Sequence, residues 1–163
     1  MNNQLQKQAH ERWKTRWEQG VKGAHLRQLP PTPSKAVRKL HAGRTKAESA
    51  LLTQLRTGKI GFNAFLHERR VPGYESPRCA CGPSRMTVRH VLLTCHLWKE
   101  EREARIKPLR TTSLSTILGT AKGASAATRF IQQIGILQQF NHEDIRFAPE
   151  PTANQRRIER AGE

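Results

Sequence analysis

At 163 residues, the chain is long enough for one domain of ordinary size with short tails. Apolar residues make up 36% of the sequence, which permits a modest core and excludes disorder throughout. The net charge of +16 favours polyanionic partners, above all nucleic acid, because phosphates that bind basic side chains release counterions. A solvated basic surface is the alternative, and an acidic membrane surface is less favoured because no lipidation motif occurs.

The N-terminal segment "MNNQLQKQAHERW" lacks the apolar stretch of a secretory signal. No segment approaches the ~20 apolar residues that cross a bilayer. We therefore predict an intracellular protein, cytoplasmic or nuclear, whose thiols stay reduced. The three cysteines are an odd number for a disulfide framework, and Cys79 and Cys81 are too close in sequence to pair without strain.

The first predicted element is an N-terminal helix. Its apolar side chains recur every four residues, at Leu5, Ala9, Trp13 and Trp17. This spacing predicts one helical stripe packed on the core, and base stacking by the tryptophans is the alternative. The segment "LPPTP" (29–33) cannot continue a helix and indicates a stiff linker or turn.

The best-specified helix lies within "TKAESALLTQLRTG" (45–58). Thr45 and Glu48 have the spacing of a capping box, and Gly58 suits a helix end. Before it, Ser34 is positioned to cap a short helix. The apolar face of the helix comprises Leu51, Leu52 and Leu55.

Later segments with helical spacing or end signals are 60–70, 97–106, 113–119 and 124–140. There is no internal repeat and no convincing strand alternation. We predict a mainly α fold, a small irregular helical domain stabilised by one structural zinc knuckle. The predicted organisation is an N-terminal helix with a Pro-rich linker (1–33), a helical zinc-binding domain (34–140) and a disordered tail (141–163).

All three cysteines lie in one stretch, "CACGPSRMTVRHVLLTC" (79–95). Together with one histidine they have the spacing C-x-C-x8-H-x4-C, and the predicted ligands are Cys79, Cys81, His90 and Cys95. Three thiolates and one imidazole complete a tetrahedral zinc site. Because a closed site leaves no position for a metal-activated water, we predict a structural role for the zinc.

The spacing of the last two ligands sets a geometric condition. Thr87 can cap a helix that places His90 in its first turn. Five residues separate His90 from Cys95, which is roughly 140° around an ideal α-helix. We therefore expect this helix to be short or distorted near Cys95. His96 is the rival fourth ligand, and His67 is a more distant one.

Enzymatic chemistry is disfavoured by the residue inventory. A catalytic Cys–His pair needs one exposed thiol of low pKa, and nothing distinguishes any of the three cysteines in this way. The single aspartate, Asp144, cannot provide the carboxylate clusters of two-metal nucleases and polymerases. No phosphate-binding loop, HExxH or GxSxG motif occurs. We predict that the chain is not an enzyme.

The positive charge is concentrated in the middle of the chain. Residues 35–110 contain seventeen basic and six acidic side chains, a net charge of +11 out of +16. This part includes the cysteine stretch, so we predict phosphate contacts around it. The candidate side chains are Lys59, Arg69, Arg70, Arg78, Arg85 and Arg89.

Residues 46–95 resemble the C-terminal region of LINE-type (non-LTR) retrotransposon polyproteins, especially fungal ones. The matching pieces are "LLTQLRTGKIGFNAFL", the turn R-x-C-x-C-G and the segment T-V-x-H-V-L-L-x-C. The segment 113–140 and the upstream "RWKTRW" are also similar, so the resemblance covers roughly residues 10–140. The family commonly has Glu before the Thr-Val pair, where this chain has Met86.

The resemblance implies a zinc knuckle that assists the binding of template RNA or target DNA. This chain lacks the family's polymerase and RNase H carboxylates. Retroviral knuckles share the H-x4-C ending but begin C-x2-C, so their mode of base recognition does not transfer.

The leading hypothesis is a non-enzymatic, zinc-stabilised module that binds nucleic acid. The alternative is a stand-alone, retroelement-derived protein-interaction factor, an effector or a regulator, which the initial Met and the tail favour. The third hypothesis is an inert packing element of a polyprotein.

Overall fold

The computed structural model describes residues 2–21, 23–29 and 35–137, and these are mainly helical, as predicted. Within these ranges there is no extended strand, and a single antiparallel bridge joins Arg78 and Arg85. The α-helices are α1 (Asn2–Gln19), α2 (Ala24–Arg27), α3 (Lys46–Thr57), α4 (Asn63–Glu68), α5 (Lys99–Arg105), α6 (Leu114–Gly119) and α7 (Ala121–Ile134). Short 3₁₀ helices span Lys35–His41, His96–Trp98 and Lys107–Leu109, and a π-helical turn spans His90–Thr94. None of the helices in the described part is long and apolar enough to cross a membrane.

The core forms where α3, α6 and α7 pack together, with α5 against α7. Close approach of α6 and α7 requires glycine, because a Cβ at Gly123 would lie 2.4 Å from the carbonyl oxygen of Ile117. The buried guanidinium of Arg56 in α3 donates a hydrogen bond to the carbonyl of Leu118, which ties α3 to α6. The largest fully buried apolar side chains are Phe62, Phe130, Leu51, Leu52, Leu55, Ile60, Leu92, Ile117, Leu118, Ile131 and Val91.

The helix α3 has the predicted ends. The Thr45 hydroxyl accepts a hydrogen bond from the amide of Glu48 at 3.1 Å, and the Glu48 carboxylate accepts one from the amide of Thr45 at 2.9 Å. Gly58 ends the helix in the left-handed conformation, with φ of 70°. The capping box and the glycine stop are therefore confirmed.

The last helix is shorter than predicted. We predicted helical structure over 124–140, but α7 begins at Ala121 and ends at Ile134. Gly135 terminates it with φ of 67°, because glycine adopts the left-handed conformation at little steric cost. Leu137 is still buried, although it follows the helix.

The prediction that the N-terminal apolar stripe packs on the core is wrong. The helix α1 forms, but Leu5 and Trp13 are 65% and 53% exposed, and Ala9 is also exposed. Only Trp17, near the end of the helix, is half-buried. Four-residue spacing places side chains on one stripe, but it does not determine whether another element covers that stripe.

The predicted Ser34 cap, most of the Pro-rich linker and the predicted tail (141–163) lie outside the described residues. The short helix expected after Ser34 corresponds to the 3₁₀ helix Lys35–His41. The predicted helices over 60–70, 97–106 and 113–119 correspond to α4, α5 and α6. Of these, α6 has a side-chain cap, since the Ser113 hydroxyl accepts from the amide of Thr116 at 3.4 Å.

Candidate metal centre

A tight turn positions the first two cysteines. The amide of Cys79 donates to the carbonyl of Ser84 at 2.7 Å, and the amide of Gly82 donates to the carbonyl of Cys79 at 3.0 Å. Gly82 has φ of 138°, a conformation that L side chains rarely adopt. The glycine after the second cysteine thus allows the chain to fold back and point both sulfurs into one site.

A π-helical turn positions the other two ligands. The Thr87 hydroxyl accepts a hydrogen bond from the amide of His90 at 3.2 Å, as a cap. The amide of Cys95 then donates to the carbonyl of His90 at 2.8 Å, five residues back. This wider turn brings residues five apart to the same side, which an ideal α-helix would not do. The expected distortion near Cys95 is confirmed, and it is a π-turn.

The four predicted ligand atoms converge. The Sγ atoms of Cys79 and Cys95 are 3.7 Å apart, and Cys81 Sγ lies 3.1 Å from Nε2 of His90. All four ligand atoms lie within 4.8 Å of one another. Cys79 and Cys95 are buried, His90 is 9% exposed, and Cys81 is half-buried. The cluster can therefore hold one metal ion.

The rival ligands lie elsewhere. His96 does not belong to the cluster, and Nδ1 of His67 is 3.0 Å from the carbonyl oxygen of Tyr74. The structure thus brings together the four side chains of the C-x-C-x8-H-x4-C pattern and neither alternative histidine. All three cysteines are free thiols, so no disulfide competes with the cluster.

The hydroxyl of Thr94 orients the histidine. Its Oγ1 lies 3.2 Å from Nδ1 of His90, the ring nitrogen opposite the one that faces the sulfurs. If Nε2 bound a metal, Nδ1 would carry the ring proton and donate a hydrogen bond to this hydroxyl. Thr94 is not among the site residues predicted from the sequence. The available signal was a hydroxyl residue four positions after the ligand His90, on a neighbouring helical position.

The electrostatics suit a site completed by a cation. Burial, followed by the neighbouring thiols Cys79 and Cys95, raises the pKa of Cys81 to about 12. Burial likewise raises the pKa of Cys95, and burial lowers the pKa of His90, with smaller contributions from Arg102 and His96. Without a metal, the site therefore favours neutral thiols at Cys81 and Cys95 and a neutral imidazole at His90. A bound cation replaces the thiol protons.

The raised pKa of Cys81 argues against a catalytic Cys–His pair. Cys81 and His90 are within hydrogen-bond distance, the geometry that a nucleophile and its base would need. A reactive cysteine, however, requires a lowered pKa so that thiolate is present near neutral pH. The pKa of Cys81 is raised instead.

The predicted phosphate-binding side chains are all exposed. Arg78 and Arg85 lie opposite each other across the bridge that frames the cysteine turn, and Arg85 donates to the carboxylate of Glu68. Lys59 and Arg69 line one cleft beside α4. Glu68 lines the same cleft, so Arg85 lies at its edge. Arg70 and Arg89 are also exposed.

No family model, curated protein or solved structure matches the chain. What the molecule does must therefore be inferred from its own geometry and charge.

Proposed function

We propose that the chain is a non-enzymatic module in which a structural zinc ion stabilises a helical domain that binds nucleic acid. The convergence of three sulfurs and one imidazole nitrogen carries this proposal. Tetrahedral zinc with Zn–S bonds of about 2.3 Å separates its sulfurs by about 3.8 Å, and the distance between Cys79 and Cys95 is 3.7 Å. Sulfur-rich tetrahedral sets favour zinc over magnesium or calcium.

A structural role for the metal follows from the number of ligands. Four protein donors fill a tetrahedral zinc ion and leave no position for a water or a substrate. The hydrophobic residues Val91 and Leu92 lie between the ligands His90 and Cys95 and are fully buried. The ion would therefore fasten the cysteine turn to the core.

Nucleic acid is the partner that the charge favours. The net charge of +16 is accompanied by exposed arginines directly beside the ligands, at Arg78 and Arg89. Such side chains bind phosphates without reading base sequence, and their binding weakens with salt. The resemblance to LINE-type C-terminal regions supports the same setting, in which the chain derives from or belongs to a retrotransposon reverse transcriptase.

Two measurements test this function. Mass spectrometry of the intact protein should find close to one zinc per chain, and gel shifts in rising salt should show binding at micromolar concentration or tighter with a steep salt dependence. The double variant Arg78→Ala/Arg89→Ala should bind more weakly, and Lys122→Ala, which removes an exposed charge on α7, serves as the control. Absence of binding at low salt would refute the nucleic-acid function.

A protein-interaction factor is the second candidate, and one observation favours it. The exposed apolar side chains Leu5 and Trp13 lie on α1, where a partner protein could cover them. A pulldown that retains a stable partner after nuclease treatment, and loses it in Leu5→Ala/Trp13→Ala, would support this function. Retention of the partner by that variant would contradict it.

A further inference from the structure

A cleft of about 300 Å³ lies where α2, the loop after α3, α4 and the segment before the π-turn meet. Its apolar lining includes the half-buried ring of Phe65 and the side chain of Met86. The exposed cations Lys59 and Arg69 also line it. An apolar cleft lined in part by positive charge suits a ligand that is itself part apolar and part anionic.

The size of the cleft limits the ligand. About 300 Å³ is at the lower end of small-molecule pockets, which is enough for one flat ring system and too small for a peptide helix. The one carboxylate of the lining, Glu68, is paired with Arg85 and so adds little repulsion toward an anion. A planar base with attached phosphates fits both the volume and the charge.

The cleft also contains an aromatic ring and an arginine, two kinds of side chain on which bases stack. The guanidinium carbon of Arg69 lies 5.4 Å from the centroid of the Phe65 ring, a cation–π pair. Proteins that bind single strands stack unpaired bases on aromatic rings and arginine planes of this kind.

One polar atom at the cleft has no partner. His25 lines the cleft, and its Nε2 is buried without a hydrogen-bond partner in the described part of the chain. Its ring packs on Gly58, where an added Cβ would lie 3.2 Å from the ring. A buried nitrogen without a partner is unfavourable, so a polar group of a ligand that reached it would gain a hydrogen bond.

We infer that this cleft binds one unpaired nucleobase of a single strand, while Lys59 and Arg69 contact the adjacent phosphates. The inference rests on the proposed nucleic-acid function and adds to it a preference for single strands. In a duplex, each base is held in the stack and cannot enter the cleft unless it leaves its partner.

The test compares three probes of equal length by fluorescence anisotropy with the metal-loaded full chain. The probes are an oligothymidylate strand, a strand of abasic sites with the same backbone, and a duplex. We expect the oligothymidylate strand to bind most tightly. Phe65→Leu should weaken its binding roughly tenfold and leave binding of the abasic strand unchanged, because a leucine keeps apolar volume but removes the ring.

Tyr74→Leu is the matched control, because it removes an exposed ring that does not line the cleft. It should leave the binding of all three probes unchanged. Lys59→Ala should weaken binding of the thymidylate and abasic strands alike and reduce the salt slope by about one phosphate contact. If Phe65→Leu does not fold, the affinities of the unaltered protein for the thymidylate and abasic strands still show whether a base is bound.

Equal affinity for the thymidylate and abasic strands would overturn the inference and leave the proposed nucleic-acid function intact. Binding of none of the three probes at low salt would overturn both.

Discussion

The helical core and the metal centre hold their structure by different means. In the core, regular helices bury large apolar side chains such as Phe130 and Leu51. In the metal centre, a tight turn and a π-turn bring together groups that repel one another when charged. Burial of apolar surface suffices for the core, whereas in the cysteine turn the proposed cation would balance the charge of the thiolates.

The two regions are nevertheless joined. Val91 and Leu92 belong to the π-turn that carries His90, and both are fully buried in the same apolar cluster as α3 and α7. Loss of the metal should therefore destabilise the core, whereas a substitution in the core need not release the metal.

Removal of the metal is expected to have the largest effect. Chelation should lower the free energy of unfolding by on the order of 5 kcal/mol or more, because the energy of metal binding contributes directly to folding. His90→Ala and Cys81→Ser should abolish stoichiometric metal, measured by mass spectrometry together with thermal melting. His96→Ala is the control and should retain the metal. Loss of metal in His96→Ala, with retention in His90→Ala, would show that the ligand set is wrong.

The next largest effect on the free energy of unfolding is expected in the core. Phe130→Ala removes a fully buried ring from α7 and should lower the free energy of unfolding by about 3–5 kcal/mol in denaturant titrations. Tyr74→Ala, at an exposed ring, should change it little. The folded fraction of Phe130→Ala should still contain one metal per chain, and loss of the metal from folded protein would show that the two regions depend on each other in both directions.

A smaller effect is expected at the contact of α6 with α7. Gly123→Ala should destabilise by about 1–3 kcal/mol, because the new methyl group would overlap the backbone of α6 at Ile117. Gly119→Ala is a matched control, since a Cβ there meets nothing within 4 Å. Equal stability of the two variants, measured by urea unfolding, would refute the close packing of these helices.

The smallest effect should come from the hydrogen bond to the metal-binding ring. Thr94→Val keeps the shape of the side chain but removes the hydroxyl beside Nδ1 of His90. Metal affinity, measured by competition with a chelator, should fall about tenfold. Thr53→Val, which removes an exposed hydroxyl from α3, should leave it unchanged. Unchanged affinity in Thr94→Val would mean that the hydroxyl does not orient the ring.

Local sequence patterns determined much of this protein. The capping box of Thr45 and Glu48, the stop at Gly58 and the Cys/His cluster of the cysteine stretch were predictable, because each depends on residues close together in the chain. The five-residue interval between His90 and Cys95 even required a distorted helix. These features follow from backbone geometry and ligand chemistry at short range.

Only the tertiary structure decided the rest. The apolar stripe of α1 is exposed at Leu5 and Trp13. Its periodicity could not predict this, because the spacing of residues within a helix does not specify which other element covers them. The cleft beside Phe65 likewise forms where segments distant in the chain meet, with His25 of α2 against the loop at Gly58. Burial and cleft formation depend on contacts between distant segments, and the sequence pattern within any one segment does not encode them.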